Sequence, residues 1–238
     1  MSGNSDNIRF QILAAADSDV KMVSMDAEAS SARPYRGVDA TQRLAVRRNQ
    51  LLAAGLDLLG AEDPNDTELT VRNLCQAAGL SARYFYESFT DKDDFVARVY
   101  DWVIAGLAGS MQSAISGVPA DEQPRAGMAH LVRTIAGDAR IGRLLFSTHL
   151  ANAVVMRKRG ESTVFFAMLS GQHVVTAMGA PANERVKAGA HFAVGGVGQT
   201  LSAWLSGDVN MEPDELADHL ASLLVELTEP SLYSPVKG

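Results

Sequence analysis

Between residues 70 and 92 the sequence places a set of side chains that share one kind of chemistry. Thr70, Ser81, Tyr84 and Tyr86 carry hydroxyls, and Arg72, Arg83 and Lys92 carry cations. Hydroxyls and an ammonium suit phosphate oxygens, and a guanidinium fits the paired acceptors on the edge of guanine. The pattern is one of recognition rather than catalysis. Further upstream, Arg43 and Arg47 add two cations one helical turn apart, placed to meet flanking backbone phosphates.

Such side chains read a duplex only if short helices hold them. Thr70 is an expected N-cap, its hydroxyl accepting an unpaired amide of the first turn. Val71, Leu74, Cys75 and Ala78 then recur at i, i+3, i+4 and i+7, an apolar helical face. Gly79 follows, suited to the left-handed conformation that ends a helix. Leu80 fills the corner, Ser81 is placed to cap the next helix, and Phe85 and Phe89 give that helix a buried edge. Arg83, Tyr84 and Glu87 fall on its other side. Two helices around a glycine turn make a helix-turn-helix, whose second helix enters the major groove.

The flanks complete a small domain. Asp39 and Gln42 have the spacing of a reciprocal cap. Leu51, Ala54, Gly55, Leu58 and Leu59 form a stripe on a helix expected from about 40 to 60. Asp91 is placed to cap a longer helix, with Asp93 and Asp94 in its first turn and Phe95, Val99, Trp102, Val103 and Leu107 along its apolar face.

The run from Arg48 to Leu59, the segment from Leu69 to Gly79 and the stretch Tyr84-Phe85-Tyr86-Glu87-Ser88-Phe89-Thr90-Asp91-Lys92 resemble the TetR family of bacterial transcriptional regulators. The resemblance covers roughly residues 40 to 103. It implies an all-α protein: an N-terminal three-helix helix-turn-helix DNA-binding domain, then a connecting helix leading into a larger helical domain for ligand binding and dimerisation. The implied function is sequence-specific DNA binding that represses transcription until a small hydrophobic effector binds. An activator of the same fold, or a helical interaction module without enzymatic activity, is the alternative. Cys75 stands where the family usually has alanine, and Arg83 and Tyr84 occupy positions that vary with the operator.

Composition sets bounds. At 238 residues the chain suffices for one small and one medium domain. Its net charge of −7 excludes binding to DNA by bulk charge. Residues 36 to 92 hold seven Lys or Arg against eight Asp or Glu, so local field rather than total charge must steer docking. No apolar run reaches a membrane span. A single cysteine, on a buried stripe, forms no intramolecular disulfide and fits an inert thiol in a cytoplasmic protein.

Residues 1–35 read as a flexible tail. Either translation starts downstream, at Met22 or Met25, or the segment is an arm with Arg33, Tyr35 and Arg36 reaching the minor groove. The DNA-binding domain is expected over 36–91, the effector and dimerisation domain over 92–230, and a C-terminal tail over 231–238. In the second domain helices are expected over 121–136, 140–150, 151–178 with breaks near Gly160 or Gly171, 183–206 and onward from Pro213. The helix after Asn183 combines Phe192, Gly195, Gln199 and Trp204, and the last helix carries Leu216, Leu220, Leu223, Leu224 and Leu227. These are the expected dimer contacts, since a palindromic operator requires a twofold homodimer. An apolar effector pocket is expected from Trp102, Phe146, Met156, Phe165, Phe166, Met168, Leu169, His173 and Met178.

Other motifs do not survive inspection. Gly195-Gly196-Val197-Gly198-Gln199-Thr200 lacks the lysine and the preceding strand of a phosphate loop. The five histidines lack metal-ligand spacing, so no metal, no cofactor and no enzymatic activity are expected. Arg157-Lys158-Arg159 reads as a solvated face.

Overall fold

A computed structural model describes residues 40–62, 68–178 and 182–233, and all regular structure among them is helical. The expected cap at Asp39, the N-terminal segment 1–35 and residues 234–238 lie outside the described residues.

Helix α1 (Ala40–Leu59) buries Leu51, Ala54 and Leu59 along the expected stripe. Gly55 sits on the same stripe for a steric reason. A Cβ there would lie 2.5 Å from Phe95 Cζ and 2.6 Å from Val99 Cγ2. Helix α2 (Val71–Ala77) begins at Thr70, whose Oγ1 accepts from the Asn73 amide at 3.1 Å, and it buries Leu74 and Cys75. It ends in a Schellman turn: Gly79 has φ +65°, its amide bonds Gln76 O, and the Leu80 amide bonds Cys75 O. Helix α3 (Ala82–Ser88) follows at once. Ser81 holds the N-cap position but makes no side-chain cap bond, contrary to expectation.

Helix α4 (Lys92–Ile115) starts at Asp91, whose carboxylate accepts from the Asp94 amide at 2.8 Å. Asp94 in turn accepts from the amide and hydroxyl of Thr90 and from Arg98. Burial by itself would raise the Asp94 pKa, but these donors outweigh it and hold the carboxyl below its ordinary value. Phe95, Val96, Val99, Tyr100 and Val103 form the buried face. Trp102, expected on that face, is exposed instead. Phe85, Phe89 and Phe95 meet ring to ring at 4.9–5.5 Å and weld α3 to α4.

The remaining helices are α5 (Gln123–Gly137), α6 (Ala139–Phe146), α7 (Ala153–Met178), α8 (Glu184–Ser206) and α9 (Pro213–Glu226). Helix α7 runs through Gly160 and Gly171 without a break. The side chain of Asn183 caps α8 on the amides of Arg185 and Val186, and Gly207 closes it at φ +81°. Helices α5 and α9 pack through Met128, Leu131, Val132 and Ile135 against Leu216, Ala217, Leu220 and Ala221. Bridges Arg125–Asp218 (2.7 Å) and Arg133–Asp214 (2.9 Å) rim that seam. Residues 231–233, expected in a tail, belong to a 3-10 turn over Pro230–Tyr233. Tyr233 is buried beside Gly189, where a Cβ would lie 2.8 Å from its ring, and its hydroxyl donates to Leu227 O.

The run at 157–159 is not a solvated face. Arg157 is exposed, but Lys158 is only 7% exposed and its Nζ lies 2.5 Å from Asp101 on α4 and 3.5 Å from Glu161. Arg159 donates to the carbonyls of Arg143, Leu144 and Ser147, satisfying the open end of α6. Burial pushes its guanidinium pKa down.

Candidate nucleic-acid interface

With Phe85 and Phe89 turned inward, the opposite side of α3 is left to solvent. Arg83 is 83% exposed, and its Nε donates to Glu87 Oε1 at 2.7 Å. The Glu87 hydrogen bond raises the arginine pKa. An i,i+4 pair this exposed is held weakly, so it orients the guanidinium without withholding it from a stronger acceptor. Tyr86 is 64% exposed, with its ring edge-on to Phe85 at 5.3 Å, a packed base and a free phenolic end. Arg72, Ser81 and Lys92 are exposed, and Arg72 forms no ion pair with any described residue.

Three of the expected residues have further roles. The Thr70 hydroxyl accepts from Asn73 and keeps its own hydrogen to donate. Tyr84 is half-buried rather than fully exposed, because the guanidinium of Arg47 stacks over its ring at 4.1 Å. Arg47, expected to reach backbone phosphates, therefore joins α1 to α3. Arg43 is exposed near the start of α1.

Sequence reasoning missed Arg48. Its Nη1 donates to Ser88 O at 3.0 Å, closing the end of α3, and its guanidinium lies 4.9 Å from the Phe89 ring centre. Burial lowers its pKa. The signal was its position: Arg48, Leu51, Leu52 and Gly55 are i, i+3, i+4 and i+7, so Arg48 shares the apolar stripe.

A brace between α1 and α6 was also missed. The Arg140 guanidinium contacts Asp57, and Arg143 Nε donates to Gly60 O at 2.6 Å. A Cβ on Gly60 would lie 2.6 Å from Arg140 O. Helix α1 is thus held by α6 as well as by α4.

The expected effector residues do not gather in one chamber. Phe165 and Phe166 are half-buried and meet edge-on at 5.5 Å, and Phe146 is half-buried among core residues. Trp102, Met156, Met168, Leu169 and His173 are exposed, and the side chain of Met178 lies outside the described residues. Neither of two described concavities is lined by any of them.

Of the expected dimer residues, Leu216 and Leu220 are buried within the chain and unavailable to a second copy. The reason is α5, whose apolar face takes up that part of the leucine row. Trp204 is half-buried and donates to Met211 O at 2.9 Å. Phe192, Gly195, Gln199 and Leu223 remain exposed, while Leu224 and Leu227 are half-buried.

No protein-family profile and no curated protein matches this sequence. Solved structures do. A putative TetR-family transcriptional regulator from Rhodococcus sp. aligns with TM-score 0.63 at 12% identity, over 78% of this chain and 100% of that one. The FadR regulator from Bacillus subtilis, solved with stearoyl-CoA, aligns with TM-score 0.55 at 15% identity, over 74% and 97%. NalD, the secondary repressor of the MexAB-OprM multidrug efflux pump in Pseudomonas aeruginosa, aligns with TM-score 0.56 at 16% identity, over 77% and 96%. The chain has the fold of the TetR-family transcriptional regulators. No helix among the described residues is long and apolar enough to cross a membrane.

Proposed function

We propose that this protein is a sequence-specific DNA-binding transcriptional regulator, a homodimeric repressor released by a small hydrophobic effector. The observation that carries the reading is the Gly79 turn. It presents α3 with its aromatic edge buried and Arg83 almost wholly in solvent. The fold similarity supports it, since one neighbour is a repressor and another was solved with an acyl-CoA. Residues 36–91 form the DNA-binding domain, and 92–230 the effector and dimerisation domain.

The roles divide by chemistry. Thr70, Ser81, Tyr86 and Lys92 contact phosphates and set register, and Arg43 reaches the flanking backbone. Arg72, Arg83 and Tyr84 face base edges, with Arg47 stacked behind Tyr84 to fix its ring. Glu87 is exchanged for guanine acceptors when Arg83 docks. The duplex is a palindrome read by two copies.

Footprinting the purified protein on DNA flanking its own gene tests the function; no protected palindrome there would count against it. On a protected site, Arg83→Ala and Arg72→Ala should each cost about 1–3 kcal/mol and relax the base preference. Lys92→Ala should weaken specific and random DNA alike. Competition binding with random-sequence DNA separates the two behaviours. Equal losses on both DNAs for Arg83→Ala would remove it from the base readers.

Thr70 carries a second test, because its hydroxyl both caps α2 and donates outward. Thr70→Ala should destabilise the fold by about 1 kcal/mol, and Thr70→Asn should restore the cap. Thr70→Asn should recover urea stability more fully than DNA affinity. Parallel recovery of both would assign Thr70 to the cap alone.

A further inference from the structure

The brace between α1 and α6 borders a crevice of about 380 Å³. Its walls come from three separate parts of the chain. Leu59 ends α1 with Ala61 and Glu62 just past it, Arg143 and Leu150 come from α6 and the segment after it, and Ser202 and Leu205 from α8. That volume falls within the range of small-molecule sites, about 300–1,000 Å³. It is separate from the cluster of Phe165 and Phe166, and no role assigned above uses it.

Glu62 aside, the polar side chains around this space are one guanidinium, four hydroxyls, of which Ser147 accepts from the His149 amide and Ser206 donates to Ala203 O, and the His149 ring. Arg143 spends Nε on Gly60 O, and neither Nη atom donates a hydrogen bond to a described residue, although after the Arg140 hydrogen bonds its charge also helps hold the Asp138 carboxyl below its ordinary value. The Thr148 and Ser202 hydroxyls and the His149 ring likewise form no hydrogen bond with described residues. One carboxylate, that of exposed Glu62, stands among the lining groups. Leu59, Leu150 and Leu205 line the same space. A guanidinium only donates, and its best partner is a planar oxyanion held through two oxygens. A guanidinium with both Nη atoms open, beside leucine side chains in one crevice, suits a ligand with an anionic end and an apolar body.

We propose that this crevice binds a small organic anion, a carboxylate or phosphate on a compact apolar body, and that its occupant fixes the angle between the helix-turn-helix and the helices behind it. The anion lies on Arg143 Nη, Thr148 and Ser202, and the body lies against Leu59 and Leu205. Because Leu59 ends α1 while the other contacts belong to α6 and α8, the ligand touches both sides of the brace at once. A ligand shifts an equilibrium only by its differential contacts with the two states. Here those contacts exist only while α1 stays docked. The site stands without the function proposed above; its bearing on DNA alone rests on that reading.

The test uses the full chain with 1-naphthoate and its uncharged counterpart 1-naphthamide, titrated calorimetrically. Naphthoate should bind one site per chain, and naphthamide about tenfold more weakly or worse. Arg143→Gln should abolish the preference for the acid. Ser202→Met, which fills the space without touching the Gly60 bond, should weaken both probes by at least about tenfold. Arg125→Gln, at the α5–α9 rim, should change nothing. Amide exchange should slow together at residues 59–61 and 147–150 on saturation with naphthoate. Equal affinity for acid and amide, undiminished binding by Ser202→Met, protection confined to one side of the brace, or no saturable binding at millimolar naphthoate would each overturn the proposal. A protein that binds naphthoate as described but retards no DNA would support this site and sink only the regulatory function.

Discussion

Phe95→Ala is expected to destabilise the protein by about 3–5 kcal/mol, the cost of emptying a large aromatic site that cannot collapse. Phe95 is fully buried in the first turn of α4. Its ring lies 5.5 Å from Phe85 and 4.9 Å from Phe89, and its Cζ fills the space that Gly55 leaves on α1. Three helices therefore lose a common contact at once. Backbones cannot close the gap, because α3 is already fixed by the Arg48 bond to Ser88 O and α1 by the Arg143 bond to Gly60 O. Whole domains are stable by only about 5–15 kcal/mol, so the loss removes a large share. Urea unfolding followed by far-ultraviolet circular dichroism checks it, with gel retardation on the footprinted site alongside. Phe95→Leu should lose much less in both measurements. A Phe95→Ala protein within about 1 kcal/mol of the parent would show that this aromatic cluster does not hold the reading helix.

What could be read in advance follows a physical rule. Local signals held at most helix ends, where one residue acts on its own backbone, though Ser81 takes the N-cap position without its side-chain bond. Thr70, Gly79, Asp91, Asn183 and Gly207 cap or close helices as their side chains and φ preferences require. Periodicity found the buried faces of α1 and α2, and that of α4 except at Trp102, which is exposed. Long-range docking was illegible for the same reason. Nothing local in Gly60 announces that Arg140 backbone will press against it, nor that Arg143 will take its carbonyl. The charged run at 157–159 misled because composition was weighed above register. Lys158 stands four residues after Val154 and three after Val155, both buried, so the helix itself turns it inward toward Asp101. Of the interface residues, Arg83 and Tyr86 stand exposed, whereas the covering of Tyr84 by Arg47 depends on how α1 crosses α3. The leucine row of α9 shows the limit of pattern reading: an apolar face says that something covers it, and only the fold shows that α5 covers Leu216 and Leu220.

Phe192→Asp is expected to separate the two copies and to lower affinity for a full palindrome by about 10²–10⁴-fold. Phe192 is 69% exposed on α8. Ala188, Gly195, Gly196 and Gln199 are exposed with it, at i−4, i+3, i+4 and i+7, so all five share one face. A Cβ on Gly195 or Gly196 would meet nothing within 4 Å, so nothing among the described residues accounts for their smallness. A large ring beside a flat glycine surface is self-complementary: each copy's Phe192 can lie over the other's glycines about a twofold axis. Burying such a ring contributes about 1.5–3 kcal/mol, and symmetry counts it twice. Aspartate removes both contributions and sets two carboxylates close together across the axis. Exposure makes the variant informative, since at 69% exposed Phe192 has little to lose within the described fold. Sedimentation equilibrium should find monomers, and retardation of a single half-site should match the parent protein. The full palindrome should then bind no more tightly than the half-site, because the second contact is no longer intramolecular. A dimer that survives Phe192→Asp with its palindrome affinity intact would place the twofold contact on another face and remove α8 from the assembly proposed here.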